Sequence, residues 1–443
     1  MKFSFPHPMV ILLGFIVLAA LGVYLIPSGE FDRIIDPLSG REVVVPGSFH
    51  AIEDVTPSLK DILLAIPEGI IAGADILVLI LFIGGAFYIV EKTGALQLGI
   101  ENLFFRFKSS KFILIYLLGV VFAFGGAAVS MQEEIIPMVP ILILLATKLN
   151  YDLRSIIAIT FGSSMIGAAL SPFNPFVGLL AQNIGEVIPF SGFGFRSTAL
   201  GLILFSWITF HLIQGKKSNP SSQDVQFKPS SLTLRDISIL FLAFGGFGLM
   251  AFGIIQWDWS YTEMSALFFV IGMACGIIAG KGLNGTARLY VSGFGEMIFA
   301  GVIVGLARSI YLILEKGAII DSIIQGLFSP LENLPNALAI TGMFISQALI
   351  HIPVPSTSGQ AVLTIPLAAP LTELLGISRQ VAVLAYQLPA ALMDMLTPTN
   401  GGMMAIIAAG GLSYKDWISY IWKSWIMITL ICLGITLLGI LWF

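Results

Sequence analysis

The chain has 443 residues, 57% of them hydrophobic and 11% charged, with a mean hydropathy of +0.94 and a formal net charge of −4. This composition belongs to a polytopic membrane protein and excludes an ordinary soluble core. It carries no basic block that would suggest nucleic acid. Cys275 and Cys432 sit inside apolar runs, which points to buried small residues and not to a disulfide. His7, His50, His211 and His351 show no metal-ligand spacing, and a structural role is expected even for His351.

In chain order, the first helix is predicted from Met9 to Leu25 and is kept as a membrane helix because no small-residue cleavage site follows it. Phe31 to His50 reads as an extramembrane β-hairpin turning at residues 36–40. Pro67–Glu91 is a second span, and Gly94–Lys108 an amphipathic segment suited to the membrane interface. Lys111–Asn150 is read as a re-entrant hairpin with its tip at Ser130–Glu134, because its arms of about 15 to 18 residues are short for full crossings. Asp152–Glu186 is a helix broken at Ser171-Pro172, and Ser197–Ile213 is a span. A Lys/Ser/Pro/Gln-rich linker at 214–231 and two spans, Asp236–Ile255 and Glu263–Ala279, follow. The pattern then repeats: a span at Tyr290–Leu314, an interfacial segment to Phe328, a hairpin at Asn336–Leu375, a broken helix at Ser378–Ala409 and a last span at Trp417–Leu441. The expected domains are 1–66, 67–213, 214–289 and 290–443.

The repeat is carried by three landmarks in the same order. Tyr88 to Ala95 echoes Tyr311 to Ala318; Ser130-Met131-Gln132-Glu133-Glu134 stands where Ser356-Thr357-Ser358-Gly359 stands; and Ser171-Pro172-Phe173-Asn174-Pro175 matches Thr397-Pro398-Thr399-Asn400. Polar turns at membrane depth survive only inside protein or along a wet cavity, and paired broken helices mark a secondary transporter. Lys and Arg fall mainly on the side of Lys92, Lys148, Arg154 and Lys216, with Arg33, Arg41, Arg196 and Arg379 among those left outside. This bias places the N-terminus in the cytoplasm and the C-terminus outside. The expected fold is all-α, about nine transmembrane helices plus two re-entrant hairpins in inverted repeats.

Further residues carry a resemblance. Ile26-Pro27-Ser28-Gly29, Pro46-Gly47-Ser48, Glu133-Glu134 with Pro137, Asn174-Pro175-Phe176, Gly305-Leu306-Ala307-Arg308, Pro355 to Gly359 and Ala385-Tyr386-Gln387 are similar to the YfcC family, within the DcuC-type C4-dicarboxylate anaerobic carriers of the ion transporter superfamily. The resemblance covers nearly the whole chain. It implies an inner-membrane carrier with a scaffold and a moving transport domain, a homodimer working as an elevator, and a substrate among basic amino acids (arginine/ornithine exchange) or small carboxylates. Where that family has Gly-Asp-Gly after the glutamine, this chain has Pro389-Ala390-Ala391, with an acid at Asp394 instead. The resemblance therefore leaves the substrate open.

Candidate substrate-binding residues are Glu133, Glu134, Asn174, Ser356, Thr357, Ser358, Thr399, Asn400 and Arg308. Ser130, Ser171, Thr397 and Asp394 are candidates for the coupling ion, Na⁺ or H⁺. The oxygens of Ser356, Ser358, Thr397 and Asn400 suit Na⁺ in particular. Arg308 either clamps a substrate carboxylate or pairs with Glu315 or Asp394; Asp394 either coordinates a cation or caps its break. Adjacent Glu133 and Glu134 are expected to diverge, one into the cavity and the other toward Ser171, Asn174 or Arg308. Two carboxylates repel a dicarboxylate by roughly 4 kcal/mol at about 4 Å and an effective dielectric near 20, which favours an amino acid, with a Na⁺- or H⁺-coupled dicarboxylate as the second reading. An intramembrane hydrolase lacks its Ser/His, His-Glu-x-x-His or paired-Asp set, and two closed clamshells argue against a channel.

Overall fold

The structure, a computed structural model, describes residues 7–35, 42–106, 111–174, 176–216, 231–257 and 259–443. The turn at 36–40, Lys108, Pro175 and most of the 214–231 linker lie outside the described residues. Eight helices among these residues are long and apolar enough to cross a membrane, and Met9–Leu25 and Asn336–Ile350 are shorter apolar helices. The tally differs from the expected nine in composition. Phe112–Val129, read as a hairpin arm, is long enough to count, whereas Arg379–Met393 is too short.

Three helices start on the same device. Ser58, Ser260 and Ser413 each cap a helix whose third residue, Asp61, Glu263 or Asp416, bonds back to the cap, opening Leu59–Ala72, Tyr261–Ile278 and Tyr414–Trp442. The first corrects the expected start at Pro67, which lies inside Leu59–Ala72; the chain bends instead at Gly73, before Ala74–Lys92. The span expected at Tyr290–Leu314 is one helix of 35 residues, Gly282–Lys316, packed along both Leu59–Ala72 and Ala74–Lys92. The N-terminal loop is two nested ribbons, Gly29–Glu30 against His50–Ala51 and Arg33–Ile35 against Glu42–Val44. Arg33 is tied to Asp321 at 2.8 Å.

Both helix–break–helix units exist. In the first, Lys111–Val129 and Val139–Leu149 are joined through a 3₁₀ turn at Glu133–Met138; in the second, Asn336–Ile350 and Thr357–Leu374 are joined through 351–356. The arms of each unit flank the first half of the following broken helix, Leu153–Leu170 in one case and Arg379–Met393 in the other. The second halves, Gly178–Ile184 and Gly401–Ala409, cross over: each touches the second arm of the other unit. This reciprocal contact is what two related halves facing each other produce. Leu153–Leu170 contains a π-turn at Ala158–Gly162, where Trp207 Nε1 donates to the freed Ala158 carbonyl at 2.8 Å. Arg196, placed outside by the charge pattern, is fully buried and donates to Gln387 Oε1 beside the first break.

Lys111–Val129 and Ser163–Leu170 approach at backbone distance because Gly126 and Gly167 face them. A Cβ on Gly126 would fall inside the carbonyl oxygen of Ser164, and one on Gly167 inside that of Ala123. Gly126→Ala is therefore expected to destabilise the protein by about 2–3 kcal/mol through overpacking against backbone that cannot yield. A melting temperature of the detergent-purified variant equal to that of the parent would contradict this.

Candidate functional site

The first break is sealed onto its own tip. Lys111–Val129 ends at Ser130, whose φ of 54° turns the chain out of the helix. Carbonyls of its last turn accept from the broken helix: Ser171 Oγ donates to Ala127 O at 2.7 Å, and Asn174 Nδ2 donates at 2.9 Å to Gly126 O, which also accepts from Ser130 N. Asn174 Nδ2 also reaches Ser130 Oγ at 2.9 Å, while its Oδ1 accepts from the backbone of Phe176 and Val177. Such bonds let a broken helix persist without water on every backbone group.

The second break uses the same chemistry with other residues. Thr399 Oγ1 donates to Ile352 O at 2.6 Å and lies 2.7 Å from Thr397 Oγ1. Asn400 caps Gly401–Ala409, its Oδ1 accepting from Met403 N at 2.7 Å, and Ser356 caps Thr357–Leu374 by accepting from Gly359 N at 3.2 Å. Of the oxygens suited to Na⁺, those of Ser356, Thr397 and Asn400 are thus engaged in hydrogen bonds in this state.

A side-chain link joins the tip of the first unit to the second break. Gln132 Nε2 donates to Asn400 Oδ1 at 2.8 Å, and Asn400 Nδ2 donates in turn to Asp394 Oδ1. On Asp394, His351 Nε2 stands 2.8 Å from the same oxygen. Asp394 therefore stands at the C-cap position of Arg379–Met393 while its side chain belongs to a buried network.

Around this junction lies a cavity of about 580 Å³, and a second lobe of about 320 Å³ shares Gln132, Glu133, Arg308, Ser356 and Asn400 with it. The larger lobe is lined by Ser130, Glu133, Glu134, Arg308, Ser356, Thr357, Ser358, Asp394 and Asn400, and the smaller also by Thr399. Asn174, Ser171 and Thr397 line neither; they hold the breaks in place. Glu133 and Glu134 both border the larger lobe. Glu134 reaches back to accept from Gln132 N at 3.1 Å, and neither acid touches Ser171 or Asn174. Arg308 is exposed to the cavity and forms no ion pair among the described residues, so its expected pairing with Glu315 or Asp394 is absent.

Sequence reasoning missed Gln132, Asp75 and Tyr261 on this cavity, and His351 behind it. Asp75 lies in the first turn of Ala74–Lys92, exposed to the lobe, and Tyr261 opens Tyr261–Ile278. An acid in an otherwise apolar helix was the available signal for Asp75.

The family described as C4-dicarboxylate anaerobic carrier, DcuC, matches residues 5–441. The chain belongs to that family. It is a carrier and not an enzyme. Its relatives include a protein of Escherichia coli (strain K12) named "Putative basic amino acid antiporter YfcC", 28% identical over 99% of this chain and 97% of that one. A Haemophilus influenzae protein is 25% identical over 95% of this chain and 94% of its own length. Among solved structures, the Alcanivorax borkumensis YdaH transporter aligns with a TM-score of 0.46 at 13% identity, covering 99% of this chain and 98% of that one. Neisseria gonorrhoeae MtrF, from a class titled antimetabolite efflux pumps, aligns at 0.42 and 16% identity, covering 99% and 96%.

A DcuC-type carrier must hold a small polar solute out of water while the protein rearranges. The junction of the two breaks has the means: hydroxyls, two amides, a free guanidinium and four carboxylates in a space suited to a small ligand.

Proposed function

We propose that this chain is a secondary carrier of amino acids, with basic amino acids such as lysine, arginine and ornithine preferred. The observation that carries the reading is the charge of one cavity: Asp75, Glu133, Glu134 and Asp394 against a single free Arg308. A zwitterion with a cationic side chain matches that set, its carboxylate on Arg308 and its ammonium and side-chain cation among the acids. The relative named as a basic amino acid antiporter is consistent with it. Transport takes place across the inner, cytoplasmic membrane, with the two helix–break–helix units as re-entrant hairpins and a homodimer moving as an elevator. Exchange or Na⁺/H⁺-coupled uptake supplies the driving force.

A C4-dicarboxylate is the second reading, favoured by the family's description and by Arg308. The test is thermal stabilisation of the purified protein by lysine, arginine and succinate, followed by counterflow uptake into proteoliposomes. Stabilisation and saturable uptake of lysine or arginine are expected. Succinate acting alone would overturn the proposal in favour of the second reading.

A further inference from the structure

Behind the cavity wall, buried side chains run from the second helical unit into Asp394. His351 is fully buried, with Nδ1 2.7 Å from Gln360 Oε1 and Nε2 2.8 Å from Asp394 Oδ1. Gln360 fixes the tautomer. Its Nε2 donates to the backbone carbonyl of Gln347 at 2.8 Å, an acceptor that cannot be reversed, so the atom presented to His351 is the amide oxygen. Nδ1 must then carry a hydrogen. A neutral imidazole protonated there has only a lone pair at Nε2, and at 2.8 Å that lone pair would face a carboxylate oxygen, acceptor against acceptor. The contact closes only with one further proton, held between His351 Nε2 and Asp394 Oδ1.

Asp394 also lines the cavity. The charged groups that line the cavity with it are Glu133, Glu134, Asp75 and Arg308; behind His351 the hydrogen-bonded chain continues through the uncharged Gln360 to Gln347 and Thr364. Asp394 connects this proton to the cavity.

We propose that the His351–Asp394 pair is the carrier's proton site, and that proton and substrate compete for it. With the proton bound, imidazolium and carboxylate cancel, and Asp394 offers a substrate cation nothing. When the proton leaves to water through the cavity, the pair keeps one negative charge, facing the space where an ammonium or guanidinium would sit. Proton and cationic substrate then exclude each other, which is the binding rule of an exchanger; a symporter must hold both together. The competition rests on the amino-acid reading of the cavity. For a dicarboxylate the sign reverses, because the protonated pair favours the anion.

The first measurement needs no ligand. Infrared pH-difference spectra of the purified protein with ¹³C-labelled histidine are expected to show a ring band that changes with pH and is lost in His351→Gln. Its persistence in the variant, or its absence in the parent, overturns the proton site. The second follows proton release to a pH dye in weakly buffered solution as lysine binds. The parent is expected to release up to one proton per lysine and to bind about tenfold more weakly per pH unit of acidification below the titration of the pair. His351→Gln should release less than the parent and show a shallower pH dependence, the remainder coming from Glu133 and Glu134 in the same cavity. Release at the parent's level in the variant, or none from the parent anywhere between pH 5 and 8, refutes the competition. If neither lysine nor arginine binds, the amino-acid reading has failed while the infrared result still decides the proton site. Proton uptake on succinate binding would overturn the competition outright.

Discussion

Glu133→Gln is expected to lower lysine and arginine uptake at least about 100-fold while the protein inserts and purifies normally. Glu133 lines both lobes of the cavity, so it is the acid most fully shared between them. A unit charge pair about 4 Å apart is worth roughly 4 kcal/mol at an effective dielectric near 20, or nearly three decades of affinity before solvent in an open lobe reduces it. Arg308→Gln should cost a similar factor for every substrate bearing an α-carboxylate. The two variants separate the readings through succinate: with a dicarboxylate substrate, Glu133→Gln would raise uptake by removing a repulsion, and only Arg308→Gln would abolish it. Radiolabelled uptake of lysine and succinate by both variants decides the matter, and unimpaired lysine uptake by Glu133→Gln would remove the acid from the site. Glu134→Gln should act more through the tip than through charge, since Glu134 accepts from the backbone of Gln132.

The helix breaks were legible because their chemistry is local. Ser-Pro-Phe-Asn and Thr-Pro-Thr-Asn carry their stop signal in the proline and their compensating hydrogen bonds in the neighbouring Ser, Thr and Asn, and those residues do seal the breaks. What closes the site was not legible. Gln132 and Asn400 bond across 268 positions, and nothing in either neighbourhood marks the partner. His351 reads as a lone histidine until the fold brings Asp394 and Gln360 to its two nitrogens. The start of Leu59–Ala72 was missed for a different reason. Ser58-Leu59-Lys60-Asp61 is a capping box in plain sight, but Pro67 also reads as a helix start, and a proline can be carried inside a helix. The long helix Gly282–Lys316 was cut short because its first turns carry Gly282, Gly285 and Arg288, residues that read as a loop when no neighbouring helix is known to bury the Thr286–Tyr290 face.

Replacing Asn400 should separate capping from bridging. Its Oδ1 serves as helix cap to Met403 N and as acceptor for Gln132 Nε2, while its Nδ2 holds Asp394. Asn400→Ala loses all of these. The missing cap costs about 1 kcal/mol, and leaving Gln132 unsatisfied in a buried junction costs about 1–3 kcal/mol more. Asn400→Ser keeps an oxygen able to cap Gly401–Ala409 but is too short to span to Gln132 and Asp394 together. If the asparagine matters chiefly as a cap, Asn400→Ser should transport almost normally and melt close to the parent. The geometry predicts the other outcome: Asn400→Ser recovers most of the stability lost in Asn400→Ala, yet uptake in both falls by at least about 100-fold, because the Gln132 link between the two breaks and the orientation of Asp394 are gone in each. Melting curves and initial uptake rates of the two variants, measured side by side, test it. Near-normal transport by Asn400→Ser would reduce the Gln132–Asn400–Asp394 line to packing, with the two halves free to move without that contact.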